Sequence, residues 1–365
     1  MSEPNLTMRD VAARLGVSPM TVSRALRGRP GIGEQTRRRV LAEVAKLGYR
    51  PNKAARGLRS GGPNELIGLV VTNLANPFYS QLAVGVEEVA VSYGARVVLG
   101  STGEDPATER EVVADLTSRG VDGLVVVPAG YDHQHLGAVR RTGTPVVLAA
   151  SPPMGIDADC VLVDDFGGTR AACRRLIARG HRRIGFLGLP ASLWTGSERF
   201  RGYAVALEEA GIEVDERYVS RHRGDIALAE KAAREMLDLP EPPTALLTAN
   251  NRNTVGALRA LRGPAGHGVA VAGFDDIELA DMLQLPLSVV SYDPVEVGRA
   301  AARLLYEHLE ALPAGAGTPA RALPPRRVII PTTLVDHPVD ATADQDAVPR
   351  VRRAAGPAVE HPVAG

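Results

Sequence analysis

Apolar positions recur at helical spacing near the start of the chain and give way to short apolar runs further on. Met8, Val11, Ala12 and Leu15 fall at i, i+3, i+4 and i+7, and Val22, Ala25 and Leu26 repeat the spacing. Val40, Leu41, Val44 and Leu47 form a third stripe, predicting a helix over 34–47 with Arg37, Arg38 and Arg39 outside its apolar face. Gly16 and Val17 supply a tight turn between the first two helices. Ser18 offers a side-chain acceptor to the free N–H groups of the second, and Pro19, at its first position, has no N–H to leave unpaired. Two helices joined so tightly predict a helix-turn-helix, with Val22, Ala25 and Leu26 packing inward while Met20, Thr21, Ser23 and Arg24 project outward.

From Leu66 the period changes. Leu66–Val71, Ala95–Leu99, Gly123–Val127 and Pro145–Leu148 read as strands buried on both faces, separated by helical stretches over 78–92, 106–119 and 133–141. The pattern repeats with strands at Arg183–Gly188, Thr244–Thr248 and Val269–Ala272. A last helix is expected over 297–309 and a closing strand over 327–331. The predicted fold is an N-terminal all-α helix-turn-helix headpiece followed by an α/β body of two doubly wound parallel-sheet lobes with a cleft between them.

Ligands of such sheets sit beyond the carboxyl ends of the strands. Those positions hold Asn73 to Phe78, Ala150, Trp194 to Arg199, Asn250-Asn251 and Asp275-Asp276. Arg and Asp supply the donors and acceptors that grip adjacent hydroxyls of a small polyol, and the faces of Phe78 and Trp194 suit the apolar side of a ring. Each candidate also has a plainer reading. Arg199 could pair with a neighbouring carboxylate, Asn250 could cap a helix over 254–261, and Asp275 could cap the helix expected after it.

Formal neutrality conceals a division of charge. Residues 1–60 carry thirteen Lys/Arg against four Asp/Glu, a net +9, whereas the remainder carries 29 against 38, a net −9. A basic head on an acidic body points to double-stranded DNA as the head's partner. No apolar run reaches the roughly 18 residues of a membrane span, and no basic-then-apolar leader opens the chain, so a cytoplasmic protein with no membrane partner is expected. Cys160 and Cys173 read as buried free thiols, and His133 and His135 lack metal-site spacing, so no metal or other cofactor is expected. The turn after the first strand, Asn73-Leu74-Ala75-Asn76-Pro77, is not the Gly-rich turn of a dinucleotide enzyme, and no nucleophile-base arrangement stands out. The chain is therefore not expected to be an enzyme.

The headpiece resembles that of the lactose-repressor/galactose-repressor family of bacterial transcription regulators. Asp10-Val11-Ala12, Gly16-Val17-Ser18, Thr21-Val22-Ser23-Arg24, Glu34-Gln35-Thr36-Arg37 and Leu47-Gly48-Tyr49-Arg50-Pro51-Asn52 carry the likeness, with Arg27 and Gly33 departing from it. The body is similar through Asn76-Pro77-Phe78-Tyr79, Gly120-Val121-Asp122-Gly123, Arg179 to Ile184, Arg199 to Tyr203 and Gly273-Phe274-Asp275-Asp276, and it resembles periplasmic sugar-binding proteins. The likeness runs from about Leu6 to Asp336.

The resemblance implies a headpiece over 1–50, a hinge helix and linker over 51–63, an effector-binding and dimerisation body over 64–338, and a tail over 339–365, whose composition predicts disorder. It implies operator contacts from Thr7, Ser18, Pro19, Met20, Thr21, Ser23, Arg24, Tyr49, Asn52, Ala55 and Leu58, with Leu58 wedged into the minor groove. Arg199 and Asp275 match the ligand-gripping pair of family sugar binders, with Asn250 beside them. Asn76, Phe78 and Trp194 complete the candidate effector set. Ala150, Ile226, Asn251 and Tyr292 depart from the sugar-binding pattern. The expected protein is a homodimeric regulator, a repressor, that binds a palindromic operator and answers a small-molecule effector, a sugar. A nucleoside or other metabolite, or DNA binding independent of any ligand, is the alternative.

Overall fold

The computed structural model describes residues 6–26, 31–47, 64–222, 224–263, 266–278, 280–283, 285–312 and 323–337. Tyr49, Asn52, Ala55, Leu58, the whole hinge segment over 51–63 and the tail over 339–365 lie outside the described residues.

Three short helices open the chain, α1 (Met8–Leu15), α2 (Pro19–Leu26) and α3 (Glu34–Lys46). Val11, Ala12, Val22, Ala25 and Val40 are their shared buried centre, with Met8, Leu15, Val17, Leu26, Ile32, Val44 and Leu47 packed around it. Leu41, expected in the stripe of α3, is instead 42% exposed, because Val40, Val44 and Leu47 already fill the inward face. Gly16 ends α1 in the left-handed region at φ 64°, and the Val17 N–H donates back to the Ala12 carbonyl, which makes the tight turn into α2.

The body holds two six-stranded sheets. The first has the order β11-β5-β4-β3-β1-β2, all parallel, from β1 (Leu66–Val71), β2 (Arg96–Ser101), β3 (Gly123–Val126), β4 (Val146–Ala149), β5 (Asp159–Val163) and β11 (Arg327–Ile330). The second has the order β12-β10-β9-β8-β6-β7, from β6 (Ile184–Gly188), β7 (Val219–Arg221), β8 (Ala245–Thr248), β9 (Ala270–Phe274), β10 (Leu287–Ser291) and β12 (Thr333–His337). Its strands are parallel except β12, which runs antiparallel to β10.

Four of these strands escaped the apolar-run criterion. β7 has only three residues, all half-buried. The other three mix polar residues into the pattern, as in Asp159 of β5, Ser288 of β10 and Asp336 of β12. Tertiary partners accommodate each of these. Ser288 donates to Asp336 at 2.6 Å, and Asp159 accepts from the Arg326 backbone N–H at 2.9 Å.

Helices α4 (Pro77–Ser92), α5 (Pro106–Ser118) and α6 (Gln134–Arg141) follow β1, β2 and β3. Helices α7 (Asp165–Ala178), α8 (Trp194–Glu209), α9 (Ile226–Leu237) and α10 (Asn251–Ala260) follow β5, β6, β7 and β8, and α11 (Pro294–Glu310) follows β10. Asn76-Pro77, Asp105-Pro106 and Asp293-Pro294 start three of them in the same way: the Asx side chain accepts first-turn N–H groups and the proline presets φ.

The chain passes between lobes three times. After β5 of the first sheet, α7 packs on β9 and β10 of the second. After β10 of the second, α11 packs on α4 and on β3, β4 and β5 of the first, and β11 of the first sheet leads directly to β12 of the second. Each lobe is thus completed by chain that has already visited the other.

The crossing of α4 and α11 is close enough for backbone contact. A Cβ on Gly85 would lie 2.0 Å from the Val295 carbonyl oxygen, and one on Gly298 would lie 2.1 Å from that of Leu82. Neither neighbour is a side-chain tip that could swing away. Gly85→Ala is expected to cost about 2 kcal/mol or more by overpacking, read as a lower urea midpoint for the body. An unchanged midpoint would show that the two helices can separate freely.

Candidate effector cavity and DNA-reading helix

Helix α2 presents two chemically distinct sides. Val22 and Ala25 are fully buried, while Pro19, Met20 and Arg24 are exposed and Thr21 and Ser23 are half-buried. Met20 is 61% exposed, a large apolar side chain left in solvent on a helix with ample inward space already filled. Ser18 accepts from the Thr21 N–H at 3.0 Å and pairs with the Thr21 hydroxyl at 2.9 Å. Thr7 and Asp10 form a reciprocal cap at the start of α1, with the Thr7 N–H donating to the Asp10 carboxylate at 2.7 Å. That cap holds the Asp10 carboxyl below its ordinary range. Thr7 and Ser18, two of the candidate operator residues, therefore also fix where the first two helices begin.

In the body, the residues following the strands of both sheets converge on one cavity of about 60 Å³. Its wall includes all six candidate effector residues, Asn76, Phe78, Trp194, Arg199, Asn250 and Asp275. Four non-glycine residues have positive φ among the described residues, and three of them, Glu104 (64°), Ala150 (57°) and Asp275 (64°), line this cavity just past β2, β4 and β9. Non-glycine residues adopt that region uncommonly, and such backbone concentrates at functional sites.

Arg199, one turn into α8, is the centre of the wall and only 4% exposed. Its Nε donates to Asp165 Oδ1 at 2.7 Å, its Nη1 to the Ala249 carbonyl and, at 3.4 Å, to Asp275 Oδ2. The guanidinium lies 3.7 Å from the centre of the Phe274 ring. Tyr292 donates to the other oxygen of Asp275 at 2.8 Å. Burial pushes the Asp165 carboxyl up to about 6 although Arg199 pulls it down. The two carboxylates keep Arg199 protonated, and burial beside Asp275 drives the Tyr292 phenol upward.

The plainer readings of two candidates hold alongside their place in the wall. Arg199 does pair with neighbouring carboxylates. Asn250 does cap α10, accepting from the Asn253 N–H at 2.8 Å, so the helix starts at Asn251 rather than at Thr254. Asp275 precedes no α-helix among the described residues and serves Arg199 and Tyr292 instead. Asn76 caps α4 through the Phe78 N–H at 3.0 Å and also accepts from Asn251 of the other lobe at 3.0 Å. Phe78 meets Tyr79 edge-on, and Trp194 begins α8 at the cavity edge.

Comparison with known proteins identifies the chain. Residues 64–338 match the family described as periplasmic binding proteins and sugar binding domain of LacI family, and residues 7–52 match bacterial regulatory proteins, lacI family.

The chain belongs to the LacI family.

It is a DNA-binding transcriptional regulator of that family. It is 33% identical over 314 residues to the HTH-type transcriptional regulator CelR of Thermobifida fusca, covering 83% of this chain and 92% of that protein. A solved CelR–cellobiose complex superposes with a TM-score of 0.66 at 30% identity, over 91% of this chain and 99% of the other. The lac repressor dimer bound to operator and the anti-inducer ONPF superposes with a TM-score of 0.73 at 26% identity, over 91% and 98%. No helix among the described residues of this LacI-family chain is long and apolar enough to cross a membrane. Among the same residues no cluster of side chains could hold a metal ion, and Cys160 and Cys173 are buried free thiols.

Reading the sequence missed Asp165 and Glu104, both in the cavity wall. Asp165 follows β5, whose polar first residue keeps it from reading as an apolar run, so no strand end marks Asp165 in the sequence. Glu104 lies three residues past β2, and its outlying φ is visible only in three dimensions.

Removing the guanidinium would leave two carboxylates buried without their cation. Arg199→Ala is expected to destabilise the body by about 3–5 kcal/mol, measured by chemical unfolding at neutral pH. A loss under about 1 kcal/mol would show that water reaches the pair. For Asp165, a folded-state pKa raised from 3.8 to about 6 favours the folded state fully below pH 3.8, and the benefit is lost as pH rises through 6. Asp165→Asn should remove that pH dependence, up to about 3 kcal/mol between pH 4 and 6, from a series of unfolding curves.

Proposed function

We propose that this LacI-family regulator is a repressor that binds a near-palindromic operator as a homodimer and is switched by a sugar held between its two lobes. The observation that carries the reading is the convergence of all six candidate effector residues, from both lobes, on one cavity. In this reading a two-fold protein places one α2 in the major groove of each half-site. Met20 makes apolar contact with a thymine methyl, and Arg24, Thr21 and Ser23 reach base edges or phosphates. The basic head supplies affinity that falls with salt. Thr7, Ser18 and Pro19 set helix starts against the backbone, Tyr49 adds a contact from the end of the headpiece, and Asn52, Ala55 and Leu58 belong to the hinge that grips the operator centre. The protein works in the cytoplasm, where the operator is.

A sugar that favours one arrangement of the lobes over another shifts the equilibrium of the body and of the hinges attached to it. The same coupling makes operator occupancy alter sugar affinity. The CelR–cellobiose complex supports a sugar as the effector.

The test uses full-length protein in gel shifts on an inverted-repeat operator against random duplex, with and without effector. Asp275→Asn is expected to keep operator affinity within about threefold while the effector response disappears. A variant that still responds like the wild type would remove Asp275 from the effector site. A wild type with no preference for any inverted repeat would overturn the operator reading.

A further inference from the structure

The charges in the cavity wall restrict what can enter. Glu104, Asp165 and Asp275 stand against Arg199 and Arg252, three carboxylates to two guanidinium groups, with no lysine or histidine in the wall. The two cations are already engaged. Arg199 is held by Asp165 and Asp275, and Arg252 donates to the carbonyls of Gly224 at 2.6 Å and Ala75 at 3.0 Å. The acceptors are not all engaged. Asp165 is 2% exposed, and its Oδ2, like Oε2 of Glu104, is a buried oxygen with no hydrogen-bond partner.

A buried carboxylate oxygen without a donor is unfavourable, and an arriving hydroxyl cures it. A phosphate or carboxylate brings no charge-balancing advantage here, since it would add a negative charge beside three others in a site of low dielectric. We infer that the effector is an uncharged polyhydroxyl compound, a sugar free of phosphate and acid groups, whose hydroxyls donate to Asp165 and Glu104. The inference rests on the reading of this cavity as the effector site. Glu104, on the first lobe, and Asp165, on the second, are then the residues that reject phosphorylated and oxidised sugars. They contribute one acceptor from each side of the cleft, so a single bound ring or disaccharide ties the lobes together.

The experiment is a thermal-shift and calorimetric titration of the full chain with matched pairs: glucose with glucose 6-phosphate and gluconate, fructose with fructose 1-phosphate, ribose with ribose 5-phosphate, and cellobiose with cellobionate. At least one neutral sugar is expected to raise the melting temperature, with its phosphate or acid counterpart binding at least 100-fold more weakly. A charged member binding as tightly as its parent overturns the inference and leaves the effector site standing. Silence across every pair counts against the effector site itself, and the inference falls with it. Glu104→Gln keeps the size of a half-buried side chain whose Oε2 has no partner, and should weaken the neutral sugar at least tenfold. An unchanged affinity in that variant, at an unchanged melting temperature without ligand, would remove Glu104 from recognition.

Discussion

The body is built around a buried guanidinium. A cation taken out of water must be surrounded by acceptors, and Arg199 finds Asp165 at the start of α7, the Ala249 carbonyl past β8 and Asp275 past β9. Those three groups belong to separate segments of the chain. Satisfying one charge therefore fixes the relative positions of the strand ends that form the floor of the cavity, before any ligand is present. The Phe274 ring lies against the guanidinium, and Tyr292 holds the other oxygen of Asp275. Preorganisation of this kind has a structural cost, visible in the positive φ of Asp275.

The second constraint is connectivity. Because the chain passes between lobes three times, neither lobe can move as a separate bead on a string, and their motion is confined to bending of the three connections. Among the described residues two hydrogen bonds then bridge the cleft directly, Asn251 to Asn76 and Arg252 to the Ala75 carbonyl. Both come from the first turn of α10 and both end on the turn before α4. The helix α4 in turn packs against α11 through Gly85 and Gly298, so the turn that receives both bonds leads straight into the closest helix crossing of the first lobe. Under the proposed function, this is the physical route by which a small ligand biases the lobe that leads to the hinge and headpiece.

The headpiece follows simpler rules. Its centre is five fully buried residues, and its helix starts are set by local side chains, Thr7 with Asp10 and Ser18 with Thr21. Local capping and helical spacing are properties of neighbouring residues, so a small domain of this type can be read almost directly from its sequence.

In the body, the sequence alone determined the alternation of strands and helices, the Asx-Pro helix starts, the basic head on an acidic remainder, and the positions beyond strand ends where Arg199, Asn250 and Asp275 stand. These depend on periodicity and on groups a few residues apart. Only the tertiary structure decided which chain completes which lobe, and it recovered β5, β7, β10 and β12, whose polar residues are accommodated by partners far away in sequence. It also decided the environment of each candidate. Arg199 turned out to be neutralised by two carboxylates, Asn250 and Asn76 to be caps as well as wall, and Asp165 and Glu104 to carry buried oxygens without donors. The reason is one of range: secondary structure is written in neighbours, whereas the satisfaction of a buried charge or polar atom depends on groups that meet only when the chain has folded.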